Sequence, residues 1–196
     1  MTATSSQPTR TAPATAHALR KLYLIRAAFS TIWVTAMVLA GRPAPLIGAW
    51  LLVLYPAWDA AATLIELRLD GDARVHIAQY LNLAGSALAT IAFGIALHSP
   101  LPAKITIFGI WALGAGLLQL AVGIARRRRL GGQWAIIASG AQSSIAGGAF
   151  LLGAHTASIG LHSLAGYAAV GAVYFLISAL RLGLRSRQLK EPVGAS

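Results

Sequence analysis

The chain has 196 residues, of which 57% are hydrophobic and only 11% are Asp, Glu, Lys or Arg. A soluble domain carries about 25% charged residues, so this composition cannot coat a globular surface, and it is far too apolar for disorder. Net charge is +11 and cysteine is absent. The absence of thiols excludes disulfides, thiolate nucleophiles and Cys-ligated metal centres.

Residues 1–19 are rich in Thr, Ala, Ser and Pro and hold no apolar run, so they read as a disordered cytoplasmic tail. A cleaved signal peptide is the rival reading, with Arg20 and Lys21 before the first apolar run and Val38-Leu39-Ala40 similar to a cleavage site. Arg26 interrupts that run and a long polar tail precedes it, which favours a retained helix.

Six stretches are long enough to cross a bilayer core of about 30 Å as helices. They are Leu22–Ala40, Leu46–Ile65, Ala78–Leu97, Ile105–Ala125, Trp134–Gly153 and Ile159–Leu180. None shows the alternating pattern of a barrel strand, and only a helix satisfies its own backbone in lipid. The predicted fold is all-α, a polytopic membrane domain over 20–185, followed by a cytoplasmic tail, 186–196.

Gly41–Pro45, His98–Lys104 and Ala154–Ser158 are short connections, which give three hairpins: 22–66, 78–126 and 134–182. Thirteen basic residues fall on one side: Arg10, Arg20, Lys21, Arg68, Arg74, Arg126–Arg129, Arg181, Arg185, Arg187 and Lys190. Only Arg42 and Lys104 fall on the other. That bias places both termini in the cytoplasm. It also accounts for the basic composition without a nucleic-acid partner. The partners expected are the lipid bilayer and, at Arg126, Arg127, Arg128 and Arg129, anionic head groups. Association into a homo-oligomer stays open.

The hairpins look like repeats. Tyr23-Leu24-Ile25, Tyr80-Leu81-Asn82 and Trp134-Ala135-Ile136 open them, small residues follow, and each returning helix ends near an arginine. In the third, Trp134-Ala135-Ile136-Ile137 precedes Gly140, Ile145-Ala146 and Phe150-Leu151-Leu152-Gly153-Ala154, then Leu164-Ala165-Gly166 and Ile177-Ser178-Ala179. Over about residues 20–185 this pattern resembles the HdeD-like acid-resistance membrane proteins. The resemblance implies an inner-membrane protein linked to acid or envelope stress. It carries over no catalytic residue.

Within the fifth run, Gly140, Ser144 and Gly148 recur every four residues beside a parallel row of Ser139, Ser143 and Gly147, and the two rows predict a broad helix-packing stripe, with lining of a pore as the alternative. Arg26 lies five residues past Lys21, and Asp59 seven before Glu66. In antiparallel helices that puts Arg26 and Asp59 at matching depth, about 8–10 Å from the cytoplasmic end. A charge inside the bilayer costs about 2.5–3.5 kcal/mol or more, so the two are expected to pair. Glu66 shares a face with Asp59, and Pro56 should free the carbonyl near Leu52. This constellation reads either as a lock on the first hairpin or as an ion or proton site of a small transporter or channel. Asn82, Gln119 and Gln142 are expected to bond across helix contacts.

His98, His155 and His162 fall near the outer surface, where they read as ordinary loop residues or as acid-sensing groups, since unperturbed His titrates near about 6.5. Asp70-Gly71-Asp72-Ala73-Arg74 is similar to the Asp-Gly-x-x-Ala-Arg core of CDP-alcohol phosphatidyltransferases. Its Ala-Arg comes one residue early, however, Leu67 stands where an Asp is wanted, and no acidic residue lies between Asp72 and Glu191. A two-metal site needs those carboxylates. Hydrolase, metalloprotease and P-loop motifs are missing. The expectation is a non-enzymatic protein with no cofactor and no metal.

Overall fold

A computed structural model describes residues 12–69, 73–130, 133–156 and 158–188. They form six helices: α1 (Ala12–Ala40), α2 (Pro45–Leu69), α3 (Ala73–Ile95), α4 (Leu101–Leu130), α5 (Trp134–Gly153) and α6 (Leu161–Gln188), with no strand among the described residues. All six are long and apolar enough to cross a membrane, from 20 residues in Trp134–Gly153 to 28 in Leu101–Arg128. The surface is correspondingly aliphatic. Leu152 is 91% exposed, Ile95 83% and Ile145 75%. Such a surface suits lipid, because acyl chains solvate it without penalty. The chain is therefore a multi-pass helical membrane protein.

The expected tail at 1–19 is corrected in part. Residues 1–11 lie outside the described residues, but α1 starts at Ala12. Alanine at 12, 14, 16 and 18 favours helix, and Pro13 is tolerated in a first turn, where no backbone donor is needed. This extra turn packs inward, with Leu19 fully buried beside Tyr23, Ile136, Ala179 and Leu182. At the other end α6 continues to Gln188, past the boundary expected at 186.

Short turns make consecutive helices antiparallel. The closest packing, however, joins helices of different hairpins: α4 with α5, α1 with α6, and α2 with α3. Contacts within the hairpins are looser. Because α1 and α6 meet, the six helices close into a ring.

The α4–α5 seam is backbone against backbone. A Cβ on Gly140 would lie 2.8 Å from the Gly116 carbonyl oxygen, and one on Gly147 would lie 2.8 Å from that of Gly109. A Cβ on Gly116 would come within 2.6 Å of the Ser144 amide nitrogen. Gly148 does not belong to this seam, since nothing approaches its Cβ position. The reason is helical phase. Seven residues return within about 20° of the starting face at 3.6 residues per turn, whereas eight overshoot by about 80°. Of the two expected rows, Gly140, Ser144, Ser143 and Gly147 thus meet α4, and the correction is that Gly148 does not.

Trp33, Tyr55, Phe108, Trp111 and Phe150 fill the ring interior toward the short turns. Their rings meet at mixed tilts, with Phe108 edge-on to Trp111, Phe150 and Tyr167. Between α3 and α4 the packing opens into an apolar groove of about 370 Å³ beside Gly85 and Gly114.

Candidate functional site, a buried four-charge network

Arg26 stands fourteen residues before the end of α1 and Asp59 fourteen after the start of α2, so antiparallel packing sets them side by side. Arg26 Nη1 donates to Asp59 Oδ1 at 2.8 Å. The second carboxylate oxygen of Asp59 accepts from Asn82 Nδ2 and from Ser86 Oγ, both at 2.8 Å. Trp111 Nε1 in turn donates to Ser86 Oγ at 2.9 Å. Asn82 also donates to Thr63 Oγ1 at 2.9 Å. One carboxylate therefore ties α1, α2 and α3 directly, and α4 through Ser86.

Two turns further along the same face of α2, Glu66 Oε1 sits 3.6 Å from Arg26 Nη2, and Glu66 Oε2 accepts from Arg126 Nη1 at 3.2 Å. Gln79 Nε2 donates to the same oxygen at 3.4 Å, and Arg126 Nη1 reaches the Tyr23 hydroxyl at 3.3 Å. Arg26 is 7% exposed, Glu66 8% and Arg126 1%, while the Asp59 side chain is half-buried at 18%. Two guanidinium groups balance two carboxylates, so the cluster is formally neutral. Neutrality lets four charges sit where one alone would be excluded.

Two small cavities flank the network. One, of about 40 Å³, lies toward the aromatic interior and is walled by Arg26, Asp59, Trp58, Gln119 and Tyr167. The other, of about 50 Å³, lies toward the arginine-rich end and is walled by Tyr23, Glu66, Gln79, Asn82 and Arg126. A water needs about 10–15 Å³ in this measure, so each has room for more than one. Arg26, Asp59 and Gln119 line both.

The structure thus brings together Arg26, Asp59 and Glu66, and adds Arg126, Asn82, Ser86, Gln79, Tyr23 and Trp111 to them. The head-group reading of Arg126 is corrected, because its side chain turns into the ring and meets Glu66. Arg127 and Arg128 are exposed, and the Arg129 side chain lies outside the described residues. Gln119 and Arg126 are seven residues apart, hence on one face of α4. That spacing was the available signal, and the run of four arginines masks it. Beside Pro56, the Trp33 indole donates to the Leu51 carbonyl at 2.6 Å, one residue from the position expected. Gln142 lines the first cavity. His98, His155 and His162 are exposed at the far end, away from the network. Residues 70–72 of the Asp-Gly-Asp segment lie outside the described residues. Among the described residues no group of three or more His, Cys, Asp or Glu could hold a metal ion.

No family model matches the chain, and neither does any curated protein or solved structure.

Proposed function

We propose that this is an HdeD-like inner-membrane protein of acid or envelope stress, with both ends in the cytoplasm, and that it acts by taking up and passing protons at the Arg26–Asp59–Glu66–Arg126 network. The observation that carries this reading is the placement of two carboxyl groups and two guanidinium groups at the centre of a helix ring, between two water-sized cavities. A lock between two helices needs one pair and dry surroundings. Here two carboxylates lie between two cavities with room for water, an arrangement that suits a proton path better. The excess of arginine at one end supports the orientation.

The test is proton entry into sealed liposomes holding the purified full-length chain, driven by a potassium diffusion potential and read by a trapped pH dye. The wild type conducts. Asp59→Asn leaves Arg26 still paired with Glu66 at 3.6 Å, so it remains monodisperse in detergent at reduced stability, and it conducts at least about tenfold less, as expected when a relay group is lost. Equal flux in the two proteins would overturn the reading.

A further inference from the structure

The cavity on the aromatic side of the network has an unusual wall. Arg26 Nε, Trp58 Nε1 and Gln119 Nε2 are buried and have no acceptor among the described residues. Each of these unmet groups on the wall is a donor. The Ser30–Tyr55 hydroxyl pair, on the same wall, uses one proton between its two oxygens and keeps another to give. An unmet buried donor costs about 1–3 kcal/mol, more when it belongs to a charged group. A small cavity whose unmet groups all donate suits an occupant that only accepts.

We infer that this cavity binds a small monovalent anion of about chloride size, and that the anion enters together with a proton on Asp59. The volume, about 40 Å³, limits the occupant to a monatomic ion or one of a few atoms. Charge decides the coupling. The titratable and charged groups facing the cavity and network are Tyr23 and Arg26 from α1, Tyr55, Asp59 and Glu66 from α2, Arg126 from α4 and Tyr167 from α6. The helices α3 and α5 contribute uncharged Asn82, Ser86, Ser139, Gln142 and Ser143. With both carboxylates ionised the cluster sums to zero, and an added anion leaves an uncompensated charge in a low-dielectric interior. A proton on Asp59 removes one negative charge and weakens its hold on Arg26 Nη1. The anion then restores neutrality and takes up the guanidinium. The proton half of this inference rests on the proposed protonation of Asp59. The anion half stands on the unmet donors alone.

The probe is sodium chloride, titrated into the full-length protein in detergent at constant ionic strength held with sodium gluconate. The readout is tryptophan fluorescence, since Trp58 and Trp111 both line the cavity. The response saturates. By linkage the apparent affinity rises by up to about tenfold per pH unit of acidification wherever one proton enters with each anion. Gln119→Leu weakens chloride by at least about tenfold, and so does Trp58→Phe, read through Trp111, each by removing one buried donor to an anion. Asp59→Asn, neutral at every pH, binds chloride near neutrality as tightly as the wild type does in acid. A wild type with no saturable chloride response overturns the site, and one whose affinity does not change with pH overturns the coupling. Proton flux without chloride binding defeats this inference and leaves the proposed function standing. Chloride binding without proton flux does the reverse.

Discussion

Arg126 and Arg127 are neighbours in the chain and opposites in environment. One is 1% exposed and bonded to Glu66 and Tyr23, and the other is exposed. Breaking a buried pair strands its partner, at a cost of about 3–5 kcal/mol. Arg126→Met should therefore lose that much stability, read as a fall in thermal unfolding midpoint in detergent. Arg127→Ala and Arg128→Ala should stay within about 0.5 kcal/mol of the wild type. The sequence makes the Arg26–Asp59 pair legible because both are lone charges in apolar runs at countable depths. It hides Arg126 because a run of four arginines gives no residue-level cue to which one points inward. Only helical phase settles that, and phase depends on how α4 is rotated by its packing on α5. Ser86 and Trp111 were hidden for a related reason. A lone serine or tryptophan in a membrane helix is ordinary until a carboxylate is found beside it.

At the scale of the helix, length and hydropathy make all six spans legible, since the bilayer imposes a minimum run of apolar residues and leaves no alternative backbone structure. Rotation about each axis is not fixed by the same constraint. The small-residue stripe of α5 shows the consequence, as a spacing of four drifts about 40° per step. Gly147 contacts α4 backbone and Gly148 does not. Gly147→Leu should part the α4–α5 seam and cost more than the about 1–3 kcal/mol of ordinary overpacking, lowering the yield of monodisperse protein. Gly148→Leu should leave yield unchanged. Equal losses in the two would mean that α5 is rotated from the position described. The start of α1 is illegible for a different reason. Ala12–Leu19 reads as polar tail because it is too weakly apolar to span, yet its alanines continue a helix once Leu19 has a buried place to go.

For the whole molecule, the informative contact is α1 against α6, which closes the ring around the charged interior. Nothing in the sequence signals it, because the pairing joins the two ends of the chain. The absence of native cysteine makes it easy to test. Arg20 lies against Gly183, so Arg20→Cys with Gly183→Cys should cross-link within one chain with a short bifunctional thiol reagent. Ile95→Cys with Gly183→Cys, at opposite ends of the molecule, should not. The ring also separates the network from His98, His155 and His162, which sit exposed at the far end. Changing all three to Gln should leave proton flux unaltered. A loss would move the pH-responsive element from the interior to the surface.

The central claim is that a carboxylate inside this ring accepts a proton while the protein stays folded. Infrared difference spectroscopy across an acid step measures that directly, and the chain has only five Asp and Glu side chains to contribute. The account predicts a protonated-carboxyl carbonyl band that appears on acidification with helical content unchanged, and that is missing from Asp59→Asn. A spectrum in which Asp59→Asn and the wild type gain the same bands would contradict it.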